Sequence, residues 1–145
     1  MKGIVPALAV ESIERSVQFY AEVLGFDVES ALPGPDGKLV HASVKRGDAS
    51  IMFGTRDPNN PHDQGTLGAG VALFMTVADH EEIDAYFLQV REAGAAVVQE
   101  PTDQFWGHRD WIVADPDGYL LWIGKEVRSL SVEEMQEAMM AGAPA

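Results

Sequence analysis

Apolar and polar positions along the chain repeat one order of elements twice. In the first half, the apolar stretch 4–10 predicts a strand, and apolar residues at helical spacing over 13–24 predict a helix. Ser12 is placed to cap this helix and Gly25 to end it. Three extended segments follow, at 26–31, 39–45 and 49–55, and a tight turn joins the last two. The first half therefore predicts the order βαβββ.

The second half shows the same order, with Val77 corresponding to Val10. An apolar strand over 71–77 precedes a helix for which Asp79 and Glu82 predict a capping box, and Gly94 ends that helix. Further extended segments are predicted at 95–99, 109–114 and 119–124. A polar loop is predicted over 101–107.

This duplication predicts an α+β fold in which two βαβββ modules form one curved mixed sheet with a concave pocket. We expect a single domain over 1–126, with module one at 1–57, a polar linker at 58–69 and module two at 70–126. A helical tail over 127–145 starts at the capping box of Ser131 and Glu134. The tail either closes the edge of the sheet or forms a methionine-rich flap over a ligand.

Composition narrows the functional classes. The chain has 46% hydrophobic residues, no cysteine and a net charge of −13. Disulfides and sulfur-ligated zinc are excluded, and nucleic acid is not an expected partner because an acidic surface repels phosphate. No apolar run reaches a membrane span, and the first residues do not resemble a signal peptide, so we expect a cytoplasmic protein without membrane contact. The charge indicates either a soluble surface or a groove that concentrates cations.

Two segments resemble the glyoxalase/bleomycin-resistance/extradiol-dioxygenase (vicinal-oxygen-chelate) superfamily. Residues 10–26 resemble that family's first helix and its exit, and residues 113–123 resemble its final hairpin. Together with the repeat, the resemblance covers about residues 3–126. It implies the two-module fold, a small-molecule ligand and pairing of two chains as a homodimer.

Metal-dependent members of the family place a His near the start of each module's first strand and a Glu in each module's last strand. Counted from the two matching segments, these positions hold only side chains that cannot bind a divalent cation: Val5, Met52, Ala72 and Trp122. The neighbouring residues are apolar too, and the four histidines are far apart in the sequence. We therefore expect no metal and no other cofactor.

Strand alternation places apolar and aromatic side chains, among them Met52, Phe74 and Trp122, on the sheet face that carries the metal in other members. These residues either pack as core or leave a slot lined by aromatic planes. A slot of this kind suits flat or cationic ligands.

The segment 104–111 carries the other candidate binding residues: Trp106, His108, Arg109 and Trp111. Its Trp-Gly-x-Arg pattern is similar to one in bleomycin-resistance proteins. Trp106 offers a stacking surface and Arg109 a fixed cation for a carboxylate or carbonyl group. Alternatively, Trp106 anchors the loop and Arg109 pairs with Asp103 or Asp110. His41, on a predicted strand, completes the set of candidate ligand-binding residues.

These features predict a metal-independent small-molecule-binding protein of the glyoxalase/bleomycin-resistance type, which sequesters a cationic or planar antibiotic-like compound. One alternative is a glyoxalase-like lyase, isomerase or epimerase that acts on a small oxygenated metabolite. Proton transfer in such an enzyme would require His41, His108 or a carboxylate beside the substrate. A second alternative is a regulatory or partner-binding module.

Overall fold

The computed structural model describes residues 1–142, and its first half is a βαβββ module. Helix α1 spans Ile13–Gln18 and continues as a wider π-helical turn over Phe19–Val23. Ser12 caps the helix through its side chain, and Gly25 leaves it with a φ of 75°. The strands of this module are β1 (Ala7–Val10), β2 (Asp27–Pro33), β3 (Leu39–Arg46) and β4 (Ala49–Thr55).

The second half repeats this order after a connection that contains a short 3-10 turn, Pro61–Asp63. Its helix α2 spans Ile83–Glu92, and helix α3, Val132–Gly142, follows the last strand. The strands of the module are β5 (Ala72–Thr76), β6 (Ala96–Asp103), β7 (His108–Ala114) and β8 (Leu120–Glu126). The predicted α+β fold, with two tandem modules and a C-terminal helix, is confirmed. The final part of the predicted tail, 143–145, lies outside the described residues.

The strands form two four-stranded sheets, ordered β1-β4-β3-β2 and β5-β8-β7-β6. In each sheet the first and last strands of the module pair in parallel, and the other pairs are antiparallel. Sequence analysis predicted that the two modules form one curved mixed sheet, and the structure divides it into these two mixed sheets. Between residues 1 and 142, however, no backbone ladder joins β1 to β5, the edge strands of the two sheets.

One core lies beneath the helix-facing sides of both sheets and joins the modules. In sheet two, Trp111, Val113 and Leu121 face this side and are fully buried. In sheet one, Val44 and Phe53 occupy the equivalent layer. Because alternate strand residues point to opposite faces, the remaining half of each strand forms a second, less covered face.

Tyrosine hydroxyl groups join the modules at both ends of their contact. The Tyr20 hydroxyl, on the turn after α1, donates to Asp115 in the β7–β8 turn at 2.9 Å. Tyr86 of α2 donates to the backbone carbonyl of Leu24, and burial raises its pKa to about 12. These buried hydrogen bonds connect residues 95 and 62 positions apart, so they fix one module against the other.

Two predicted boundaries in module two are wrong. Helix α2 begins at Ile83 with Glu82 as its N-cap, and no side chain caps it, so Asp79 and Glu82 do not form the predicted capping box. Strand β6 continues through Pro101 to Asp103, which shortens the predicted loop to the turn before His108. The capping box of Ser131 and Glu134 is present: the Glu134 amide donates to the Ser131 hydroxyl at 3.1 Å.

No helix in the described part of the chain is long and apolar enough to cross a membrane. The described helices are short, and α3 is the longest at 11 residues. Cytoplasmic location stays a prediction from sequence.

Candidate functional site

The second sheet presents an aromatic layer on the side that faces away from the core. Register places Phe74 of β5 opposite Trp122 of β8, and Trp122 opposite Ile112 of β7. His108 lies on the same face because it is four residues from Ile112 along β7. We call this surface the aromatic face and define it by Phe74, Trp106, His108 and Trp122.

Ring contacts run continuously across the aromatic face. The Phe74 ring lies 4.7 Å from Trp122 and stacks on His108 at 5.8 Å between centroids. Trp106 meets Trp122 edge-on at 6.3 Å and also contacts Phe105. Phe74 remains 43% exposed, whereas Trp111 on the opposite side of the sheet is fully buried. The aromatic layer therefore offers ring surface to solvent rather than filling a core.

A buried carboxylate lies within this layer. Asp110 of β7 is fully buried, and its Oδ1 accepts hydrogen bonds from the side-chain amides of Gln99 at 2.7 Å and Gln104 at 2.9 Å. Its Oδ2 is buried and has no hydrogen-bond partner among residues 1–142. Two further buried polar atoms on the same face, His108 Nδ1 and Trp122 Nε1, also lack a partner within that range.

Two grooves border the aromatic face where module one meets strand β5. One has a volume of about 350 Å³ and is lined by Phe74, Arg46 and Glu81 among others. The other, of about 280 Å³, extends from Phe74 to Pro6 and Ser50. Phe74 lines both grooves, so it connects the aromatic face with the seam between the modules.

Two of the predicted binding residues, Arg109 and Trp111, lie on the opposite side of the sheet. The Arg109 guanidinium binds Asp84 of α2 at 2.8 Å and Asp103 at 3.1 Å. The hydrogen bonds that the guanidinium donates to these carboxylates raise the pKa of Arg109. Trp111 donates its indole N–H to the carbonyl of Ile83 at 3.1 Å. Both residues therefore anchor α2 and do not belong to the aromatic face.

The open face of module one is polar instead. Met52 pairs with Ser43 across β3 and β4, and His41 lies on the same face two residues before Ser43. Hydroxyl groups dominate this face: Ser43 bonds Ser30 at 2.8 Å, and Ser43 and Ser50 both donate to Glu29. Met52 and His41 therefore lie on a different sheet from the aromatic face, and the structure does not bring them together with Trp122.

The four positions that bear metal ligands in other members do not fit a metal ion. Met52, Ala72 and Trp122 lie on the open sides of their sheets, and Val5 precedes β1. None of these side chains carries an imidazole or a carboxylate. No group of three His, Cys, Asp or Glu side chains in the described range could hold an ion. We derive no chemistry that depends on a metal.

Asp110, Gln99 and Gln104 were missed by sequence analysis. The available signal was alternation: Asp110 lies on β7 between His108 and Ile112 and shares their face of the sheet. A carboxylate at such a position is rare unless it is paired, which makes it a candidate for function.

Comparison with protein families matches residues 4–123 to the Glyoxalase/Bleomycin resistance protein/Dioxygenase superfamily. The chain belongs to this superfamily. Among its relatives, uncharacterized proteins of Mycobacterium bovis and Mycobacterium tuberculosis are 34% identical to it over 141 residues. These matches cover 92% of this chain and 90% and 80% of the respective relatives.

Two solved structures of other proteins share the fold. TioX from Micromonospora sp. ML1 is 26% identical, with a TM-score of 0.69, and the match covers 87% of this chain and 99% of TioX. TnmS3 from Streptomyces sp. CB03234, described as an antibiotic binding protein, is also 26% identical. Its TM-score is 0.65, with coverage of 87% of this chain and 98% of TnmS3.

Proposed function

We propose that this chain is a metal-independent binding protein that sequesters a flat, antibiotic-like compound against the aromatic face. The observation that carries the proposal is the exposure of the Phe74 ring, 43%, within a continuous array of aromatic contacts. Large apolar side chains that stay exposed together mark binding surfaces more often than structural ones. The antibiotic-binding relative TnmS3 supports the same class of ligand.

Stacking is the contact that this surface offers. Phe74 and His108 are nearly parallel, with 25° between their planes, whereas Trp122 stands at 62° to Phe74. A planar ligand can lie on one ring while the edges of the others bound it, an arrangement that aromatic pairs favour. The net charge of −13 favours a ligand that is neutral or cationic over an anionic one.

Metal independence is part of the proposal because the four positions that bind the ion in other members offer neither an imidazole nor a carboxylate. The ligand is held by ring surface, by the polar atoms beneath it and by the adjoining grooves. A binding protein needs no reacting group. The half-buried His108 and the buried Asp110 are therefore assigned to recognition rather than to proton transfer.

Tryptophan fluorescence tests the proposal because two of the three tryptophans, Trp106 and Trp122, lie on the aromatic face. Protein treated with a metal chelator is titrated with planar polycyclic compounds such as acridine, and we expect saturable quenching. Trp122→Phe should remove most of the quenching. Trp111→Phe is the matched control, because Trp111 is buried on the other side of the sheet, and it should leave the affinity unchanged.

Two results would contradict the proposal. Quenching that requires an added divalent cation would show that the ligand is held through a metal. An affinity that falls in Trp111→Phe but not in Trp122→Phe, with both variants folded by circular dichroism, would place the ligand elsewhere.

Pairing of two chains forms the second part of the proposal. Apolar side chains on β2, β3 and β6 remain exposed, at 58% for Leu32, 51% for Val40 and 55% for Val98. Exposed apolar side chains on both sheets favour association of two chains. Light scattering after gel filtration should give twice the chain mass of 15.7 kDa. A mass equal to one chain at micromolar concentration would contradict this part alone.

A further inference from the structure

The Asp110 carboxylate is the most constrained polar group on the aromatic face. Its two oxygens differ: Oδ1 accepts two amide hydrogen bonds, whereas Oδ2 has no partner among residues 1–142. Both donors, Gln99 and Gln104, are neutral, so they satisfy one oxygen without compensating the charge. A buried carboxylate in this state carries a desolvation cost that a donor at Oδ2 would offset.

The nearest cations of the same strands are directed away from Asp110. Arg109, the preceding residue on β7, projects from the other side of the sheet and is bound by Asp84 and Asp103. Lys125 of β8, which pairs with Arg109, donates to the carbonyl of Glu81 at 2.6 Å. The side of the sheet that carries Asp110 thus presents a negative group within an aromatic layer.

We propose that Asp110 is the specificity-determining residue of the aromatic face and that its Oδ2 accepts a hydrogen bond from a cationic N–H group of the ligand. The protein thereby selects protonated amino-heteroaromatic compounds over neutral compounds of the same shape. This inference rests on the proposed function, since it concerns the same site. It adds the charge of the ligand and the residue that recognises it.

Phe74 controls access to this oxygen. Its ring lies across Gly124, where a Cβ would come within 3.0 Å of the ring and 3.4 Å of the Asp110 Cβ. Because residue 124 is glycine, the Phe74 ring can lie directly beside Asp110. Because Phe74 has an apolar side chain, rotation away from Gly124 breaks no hydrogen bond. A planar ligand can then stack on the rotated ring and bring its N–H group to Asp110.

One more polar atom can then be paired. His108 Nδ1 is buried without a partner in the described chain, and it can accept a hydrogen bond from a second N–H group of the ligand. A fused heteroaromatic ring with an exocyclic amine carries donors and π-surface on one rigid frame. It can therefore contact the carboxylate at one edge while the rings stack on its faces.

The test compares two probes of nearly the same shape by fluorescence titration and calorimetry. One is 9-aminoacridine, which is protonated at neutral pH, and the other is acridine, which is neutral there. We expect the wild-type protein to bind 9-aminoacridine at least about ten-fold tighter, the range of a charge-assisted hydrogen bond. Asp110→Asn keeps the shape of the side chain and should bring the ratio to within about two-fold of unity.

Asp103→Asn is the matched control. It removes the same charge from the adjoining strand, but its carboxylate is exposed and binds Arg109 on the helix side. The probe preference of this variant should equal that of the wild type. Phe74→Ala should weaken both probes equally, because it removes stacking surface and leaves the carboxylate. A preference that survives in Asp110→Asn would overturn the inference.

A salt series on the wild-type protein decides the matter even if Asp110→Asn does not fold. Surface charge is screened between about 0.05 M and about 0.5 M salt, whereas an enclosed ion pair is screened much less. The ten-fold preference should persist across this range, and its disappearance would assign it to the net charge and refute a role for Asp110. Equal affinity for both probes, with quenching still lost in Trp122→Phe, would refute this inference alone. Absence of binding by either probe would count against the proposed function as well.

Discussion

Removal of one hydroxyl group should loosen the contact between the two modules. Tyr20 is fully buried, and its ring contacts Phe26 at 5.7 Å and Phe53 at 5.0 Å. Its hydroxyl donates to Oδ2 of Asp115. The other carboxylate oxygen, Oδ1, already accepts hydrogen bonds from two backbone amides. Tyr20→Phe keeps the ring contacts and removes only the donor, so the change in the free energy of unfolding reports on this hydrogen bond.

The expected loss is about 2 kcal/mol, because a hydrogen bond to a charged group contributes about 1.5–3 kcal/mol. For a chain of this size, each kcal/mol lowers the melting temperature by about 2–4 °C, which gives about 4–8 °C in total. Tyr119→Phe is the matched control. The Tyr119 hydroxyl also bridges the modules, at 2.8 Å, but its acceptor is the neutral carbonyl of Ala9. That substitution should cost about 1 kcal/mol.

Acidification supplies an independent check. Burial raises the pKa of Asp115, and the hydrogen bond from Tyr20 acts in the opposite direction. Without the hydroxyl, the folded-state pKa of Asp115 rises further above its unfolded value. A group with a raised folded-state pKa adds stability as the pH falls, so the variant should recover more stability in acid than the wild type.

Urea denaturation at neutral and acid pH measures both effects through the midpoint and slope of the transition. The difference between wild type and Tyr20→Phe should narrow as the pH falls. Two results would refute the assignment of Asp115 as a buried, ionised acceptor. One is a loss of unfolding free energy in Tyr20→Phe at neutral pH that is no larger than in Tyr119→Phe. The other is a stability difference between wild type and Tyr20→Phe that widens in acid.

Two further substitutions test the placement of the turn 104–107 between β6 and β7 and of the adjacent Arg109. Gly107→Ala should lower the melting temperature by several degrees, because φ is 95° there and a Cβ would collide with the carbonyl oxygen of Arg128. Gly54→Ala is the control. It has open space around it and should shift the melting temperature far less. Unchanged stability of the Gly107 variant in thermal unfolding would disprove this contact. Arg109→Gln should cost less than about 1 kcal/mol and leave the affinity for acridine unchanged, since Arg109 pairs with Asp84 on the helix side. A large loss of affinity in the titration would move the site to that side.

Much of the fold was predictable because its signals are local. Ser12 and Gly25 mark the ends of the first helical segment by cap chemistry alone, and the structure confirms both. The end of β6 was missed because Pro101 interrupts a strand pattern. Strand β6 is the edge of its sheet, however, and proline is tolerated on an edge strand, where its missing N–H leaves no ladder bond unmade.

The site was predictable only in part because it depends on which face each strand residue takes. Phe74 and Trp122 were identified through alternation within their own strands, and their contact confirms that they share a face. Arg109 and Trp111 were grouped with Trp106 by sequence proximity, although they project to the other side. The partner of Arg109, Asp84, lies 25 residues earlier on α2, so local sequence gave no indication of it.

Two of the tyrosines that join the modules, Tyr20 and Tyr86, meet groups of opposite charge. Tyr20 donates to the Asp115 carboxylate, whereas the Tyr86 ring lies beneath the Arg46 guanidinium at 4.3 Å. After duplication the halves have thus become complementary rather than interchangeable. If the chain were cut in the linker, each fragment would therefore pair with the other fragment in preference to a second copy of itself.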